Sequence, residues 1–176
     1  GNTAKLSVGI LSAYQLYGDG SNLSGVGFNP DSQENLYAGT GAGAASDSDT
    51  CFNIALGCNA GNTLNEGDNN VFLGQSAGRC TTTGYNNVAI GNQALAVNTV
   101  TGHGNVMIGF CAGKCTCSGD NNVFIGHYAG RCNKGNDANV AIGPNAYSKG
   151  RGAGNVVLGN YALGDNCLLY TSPSPR

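Results

Sequence analysis

Residues 70–77 read Asn-Val-Phe-Leu-Gly-Gln-Ser-Ala, and residues 122–129 read Asn-Val-Phe-Ile-Gly-His-Tyr-Ala. This cassette of Asn, three apolar residues, Gly, two variable residues and Ala occurs eight times. Its copies open at Asn35, Asn53, Asn70, Asn87, Asn105, Asn122, Asn139 and Asn155. The anchor glycines are Gly39, Gly57, Gly74, Gly91, Gly109, Gly126, Gly143 and Gly159, so successive copies step by 18, 17, 17, 18, 17, 17 and 16 residues. A fixed period of this length marks a solenoid, in which each repeat is one coil and neighbouring coils bury each other. The fold expected is all-β, a parallel β-solenoid of about eight 17–18-residue coils of the left-handed β-roll or β-helix type.

Working outward from the glycine, the apolar triplet predicts one short strand per coil. Side chains alternate along a strand, so the residues three and one before each glycine share a face. These are the pairs Val71/Leu73, Val88/Ile90, Val106/Ile108 and their equivalents, β-branched or aliphatic nearly throughout. That face is expected to point inward. The glycine turns the chain or permits close backbone approach. The alanine three residues later fills a narrow interior. The asparagine column is expected to bond from rung to rung and to satisfy turn backbone through its amide. The middle column holds Tyr37, Ala55, Phe72, Ala89, Met107, Phe124, Ala141 and Val157, none of them charged. A strand apolar on both faces is covered on both. With little chain to spare in each coil, the expectation is a homotrimer around a shared axis, with Tyr37, Phe72, Met107, Phe124 and Val157 at the oligomer interface.

Composition narrows the function. The 176 residues include 30 Gly and 24 Asn, and only 10% are charged. The net charge is −2 and the 8 Lys and Arg are scattered along the chain, so no nucleic-acid footprint is read. No apolar run is long enough for a membrane-spanning helix, so no membrane insertion is expected. Three segments are distinguished: a lead-in at 1–34 with one or two strands, the solenoid at 35–166, and a tail at 167–176. The tail, Cys167 to Arg176, resembles the translation of a sequencing-library adapter, which implies assembled environmental reads and a native chain that runs on past 166.

The repeat resembles the β-roll of trimeric adhesin heads, whose cassette is of the kind N-S-V-A-I-G. It resembles more closely the repeats of bacteriophage tail fibres, notably those of phages infecting marine cyanobacteria. The stretch Tyr17-Gly18-Asp19-Gly20-Ser21-Asn22-Leu23-Ser24-Gly25-Val26 is similar to the G-x-G-S-x-L-T-G-[IV] element of such fibres, with Ser24 in the Thr place. The resemblance spans about 6–166. It implies a structural and adhesive role, as a tail-fibre shaft or head contributing to host-surface attachment, with a location on the virion. The alternative it carries is a bacterial surface adhesin or extracellular filament subunit. Its implied partners are further copies of the chain and a host-surface glycan or protein.

Catalytic and metal readings fare poorly. Cys111, Cys115 and Cys117 space as C-x3-C-x-C without the second pair that zinc sites use. His103 and His127 stand at different points of their coils with no recurring carboxylate, so neither a Ser-His-Asp array nor acid–base work is indicated. A hexapeptide acyltransferase needs an apolar residue every six positions. Six after Leu56, Leu73 and Ile90 come Asn62, Arg79 and Ala96. The calcium β-roll and ice-binding patterns are likewise missing. No enzyme activity and no cofactor or metal is therefore expected. Cys115 and Cys132 each stand six residues after a glycine on adjacent coils, a spacing within disulfide range, and form a candidate disulfide; the other reading is buried free thiols. His127-Tyr128 and Asn160-Tyr161, at variable outer positions, pair a polar group with an aromatic ring, the combination on which sugars stack.

Overall fold

A computed structural model of the chain describes residues 30–97, 100–133 and 136–164. Each cassette forms one three-residue strand that stops at its glycine. The strands are β1 (Leu36–Ala38), β2 (Ile54–Leu56), β3 (Val71–Leu73), β4 (Val88–Ile90), β5 (Val106–Ile108), β6 (Val123–Ile125), β7 (Val140–Ile142) and β8 (Val156–Leu158). They lie parallel in chain order in one eight-stranded sheet. Each pairs in register with the next, as in Val71↔Val88, Phe72↔Ala89 and Leu73↔Ile90. The expected parallel β-solenoid is therefore present, with one coil to each strand and no helix among the described residues. The lead-in expected at 1–34 falls largely outside the described residues, as does the tail at 167–176.

Outside the strands the coils still bond to each other. Gly61 N–H donates to the Ala77 carbonyl at 2.9 Å, Gly78 to Ala94 at 2.9 Å and Gly113 to Ala129 at 2.8 Å. The backbone ladder thus continues around the coil beyond the sheet.

The anchor glycines explain how the strand turns. All eight have φ between 118° and 136°, a region closed to L side chains. They also stack on one another. A Cβ on any of the first seven would lie 2.5–2.9 Å from the backbone of the next anchor glycine. The column admits glycine alone, for two independent reasons.

The asparagine column is buried, Asn35 at 1% exposure and Asn53 through Asn139 at 0%. Each side-chain Oδ1 accepts the backbone N–H of the next asparagine, as from Asn70 to Asn53 at 2.9 Å and from Asn105 to Asn87 at 3.0 Å. The amide nitrogen donates to the preceding Oδ1 (Asn105 to Asn87, 3.0 Å) and to a turn carbonyl (Asn105 to Gly119, 2.8 Å). At the first coil Asp31 Oδ1 replaces the missing asparagine and accepts Asn35 N–H at 2.9 Å. The ladder bonds from rung to rung and to the turn backbone, as expected, and its buried polar atoms are paired.

The inner and outer faces are the reverse of the expectation. The middle column points inward: Ala55, Phe72, Ala89, Met107, Phe124 and Ala141 are at 0% exposure, Val157 is at 3%, and Tyr37 packs against them. Tyr37, Phe72, Met107, Phe124 and Val157 thus belong to this chain's own core, and the oligomer interface expected from them is withdrawn. The columns of Val71 and Leu73 and their equivalents face out and are half-buried or exposed. Alternation separates the two sets but does not say which is inside. The interior decides. It is one side chain wide and is shared with the cassette alanines, which are buried as expected at Ala60, Ala77, Ala94, Ala112, Ala129 and Ala146.

A mixed column of Phe, Met and Ala fits that interior through a compensation four residues after each anchor glycine. Opposite Tyr37, Phe72, Met107 and Phe124 stand Gly43, Gly78, Gly113 and Gly130, while opposite Ala89, Ala141 and Val157 stand Leu95, Tyr147 and Leu163. A Cβ on Gly78 would sit 2.5 Å from the Phe72 ring. Leu95 and Tyr147 fill what Ala89 and Ala141 leave, and both are buried. In coil 2 Ala55 faces Gly61, and the Phe72 ring of the next coil closes the gap, 3.0 Å from a Gly61 Cβ. Leu95 and Tyr147 hold φ of 51° and 54°, the left-handed geometry that glycine adopts in the other coils.

Two outcomes are expected. Phe72→Ala should cost about 3–5 kcal/mol in denaturant unfolding. Adding Gly78→Leu should recover at least about 1 kcal/mol of it, a coupling typical of residues in contact. Additive losses would refute the compensation. Asn87→Leu strands the backbone and side-chain N–H of Asn105 and the carbonyl of Gly102, and should cost roughly 3 kcal/mol or more at 1–3 kcal/mol per group. A loss below roughly 1 kcal/mol would show that the ladder is not needed.

Candidate functional site

With the repeated columns committed to the core and the stack, chemistry is left to the positions that vary between coils. The two residues after each anchor glycine vary between coils; the first faces out, and the second is half-buried in most coils and buried at Cys111. In coils 2 to 4 they are Cys58-Asn59, Gln75-Ser76 and Asn92-Gln93, small or polar, whereas coils 5 and 6 carry Phe110-Cys111 and His127-Tyr128. Because the coils stack in register, Phe110 and His127 occupy one column. Their rings stack with centroids 5.3 Å apart and planes 16° from parallel. Tyr128 meets His127 at 4.2 Å and Phe110 at 5.3 Å, edge-on to both. The Arg131 guanidinium carbon lies 4.8 Å from the Tyr128 centroid, in cation–π range. Phe110 is 40% exposed. The sequence pairs His127 with Tyr128; the further partners Phe110 and Arg131 emerge only when the coils are aligned on their glycines.

The Lys and Arg residues also change meaning in the fold. Counted from the anchor glycine of its own coil, each of Arg79, Lys114 and Arg131 stands at the fifth position, Lys149 at the sixth and Arg151 at the eighth. Residues scattered in sequence are thus gathered on one arc of the coil. Lys114 Nζ donates to Gln93 Oε1 at 2.6 Å, which joins this arc to the outward column beside it. An open cleft of about 500 Å³ is lined by Cys132, Asn136, Lys149, Gly150 and Arg151.

A second group stands elsewhere on the coil. Tyr85 and His103 stack at 4.5 Å, 8° from parallel. His103 Nδ1 lies 3.2 Å from Asp120 Oδ1, which also accepts the His103 backbone N–H at 2.9 Å. Asp68 and Asp137 do the same for Cys51 and Asp120, at 2.7 and 2.9 Å. These aspartates stand two residues before Asn70, Asn122 and Asn139 and act as turn caps. Among the described residues no group of three His, Cys, Asp or Glu is placed to hold a metal ion, and no helix is long and apolar enough to cross a membrane.

Cys115 and Cys132 are brought together on neighbouring rungs, as their spacing predicts. Their backbones continue the ladder, Cys115 N–H to Arg131 at 2.9 Å and Cys132 N–H to Ser148 at 2.8 Å. The two thiols are in side-chain contact, and both cysteines are free. Burial pushes the Cys115 thiol up, and the neighbouring Cys132 adds to the shift. Burial also raises Cys111. Tyr161 is 63% exposed on coil 8, beside exposed Asn160.

Compared with protein-family models, curated proteins and solved structures, the chain matches none.

Only the thiolate attacks an alkylating agent, and a raised pKa leaves less of it at a given pH. Peptide mapping after iodoacetamide at pH 8 should find exposed Cys58 modified well before Cys111 and Cys115. The rates at Cys111 and Cys115 should still be climbing above pH 9. Equal rates at the three sites would contradict the burial described.

Proposed function

We propose that this chain is a segment of an extracellular fibre, a rod whose length and stiffness are set by stacked coils and whose outside contributes to attachment at a host surface. The observation that carries this reading is the in-register stack of eight coils, a one-dimensional architecture in which each repeat contacts only its neighbours. Such a unit suits a shaft, and every strongly repeated side chain is already engaged in building it. The likeness of the cassette and of residues 17–26 to phage tail fibres supports a virion fibre. A bacterial surface adhesin would use the same rod and differ in its anchor. The cassette's own Asn, Gly and Ala columns hold no titratable side chain, and the recurring Asp68, Asp120 and Asp137 are engaged as turn caps, which supports a non-catalytic role.

The rod is proposed to work as a homotrimer, joined through a different face from the one the sequence suggests. The outward columns of β1 to β8 carry sixteen side chains, all Val, Ile, Leu or Ala. Within the stack Ile54 and Ile142 on these columns are 37% and 41% exposed. An apolar strip of this regularity marks an interaction surface. Two further copies are its best occupants, because their strips repeat at the same rung spacing, about 4.8 Å, and carry no charge to bury.

Sedimentation equilibrium should give about 53 kDa, three times 17.7 kDa. Ile108→Lys on the outward column should shift the mass toward one chain while the β-type circular dichroism is retained. A folded monomer at high concentration, or an Ile108→Lys protein of undiminished mass, would refute the interface.

A further inference from the structure

Charge is segregated along the rod. The described carboxylates before Arg79 are Asp31, Glu34, Asp47, Asp49, Glu66 and Asp68, with no Lys or Arg among the described residues there. From Arg79 to Gly164 the order inverts, with five described cations against Asp120 and Asp137. Those two aspartates stand at the eleventh position of their coils and cap turns, while the cations stand at the fifth to eighth. None of Arg79, Lys114, Arg131 and Arg151 is ion-paired among the described residues.

The cationic arc meets the aromatic ledge. Arg131 lies over Tyr128, and Lys114 reaches Gln93 on the outward column of the previous coil. Coils 5 to 7 therefore present one edge with cations on successive rungs and a stacked Phe110–His127 pair beside them. The neighbour contacts fix the rings and the guanidinium before any ligand arrives.

We propose that this edge binds an anionic polysaccharide, its carboxylate or sulfate groups on Lys114, Arg131, Lys149 and Arg151 and a sugar ring against Phe110 and His127. Charge complementarity selects a polyanion, and charge density selects its class. The cations come at about one or two per rung of roughly 4.8 Å. Duplex DNA carries one charge per about 1.7 Å, far denser than this edge can match. The chain's net charge of −2 and its acidic first coils would further oppose a dense polyanion. A polysaccharide with charges spaced along its sugars fits the edge, and the aromatic pair offers sugar rings an apolar ledge. This binding edge gives a partner class to the attachment role proposed above and rests on it for its setting. Sedimentation tests the rod and ligand binding tests the edge, so either can fail alone.

The test is titration of the whole chain with polygalacturonate and with chondroitin sulfate, against neutral dextran and duplex DNA, by calorimetry. The expected result is binding to one or both anionic glycans and none to dextran. With four charge contacts the affinity should fall roughly 50-fold between about 50 and 200 mM salt. The triple variant Arg131→Gln, Lys149→Gln, Arg151→Gln should weaken binding at least tenfold at an unchanged melting temperature. Phe110→Ala should weaken it measurably, and Gln75→Ala, two coils away on coil 3, should leave it unchanged. No binding to either anionic glycan would overturn the proposal, as would equal affinity for dextran, tighter binding to DNA, or a folded triple variant that binds as before.

Discussion

The rest of the structure depends on the buried asparagine ladder. An asparagine amide in an apolar interior is costly unless its donors and acceptor are paired. Here each Oδ1 is satisfied only by the asparagine one coil further on. A slip of one residue between coils would leave buried polar atoms without partners and would also turn each strand over. The ladder therefore fixes the register that the hydrophobic columns alone leave loose. The anchor glycines act beside it, because their backbones pack too closely for any Cβ. Together they account for the constancy of two columns.

Much of this was legible in the sequence, because one-residue columns recur only where geometry recurs. The solenoid, the strand in each coil, the buried alanine and the asparagine bonds all follow from the cassette. Which face of the strand is inside did not follow. Val and Ile look like core, and a column mixing Phe72, Ala89 and Met107 looks too irregular for one. The missing information lies six residues beyond the middle residue, where Gly78, Leu95 and Gly113 vary inversely with it. That relation is visible in the sequence only to a reader who compares sizes across the coil. The inward choice then follows from volume, since large meets small in most coils and the Phe72 ring of the next coil closes the gap between Ala55 and Gly61.

The candidate surface was legible only in part, for the opposite reason. The residues proposed to bind are those that break the period, so no column announces them. His127 and Tyr128 stand out as neighbours in sequence. Phe110 and Arg131 join them through stacking and the coil's return. Lys114, Arg131, Lys149 and Arg151 look scattered until each is numbered from its own glycine. A solenoid turns such sparse substitutions into a continuous edge, which lets one scaffold carry a new surface without altering its core.

Buried asparagines hold the coils in register through bonds from rung to rung. Hydrogen exchange of the backbone amides, followed by NMR, tests this most directly. The N–H groups of Asn53, Asn70, Asn87, Asn105, Asn122 and Asn139 bond only to an asparagine side chain one coil away. They should exchange as slowly as strand amides such as Val88 and Val106, and in one cooperative class with them. Exchange of these amides at the rate of an exposed turn residue such as Ser118, with the strands still protected, would contradict the account.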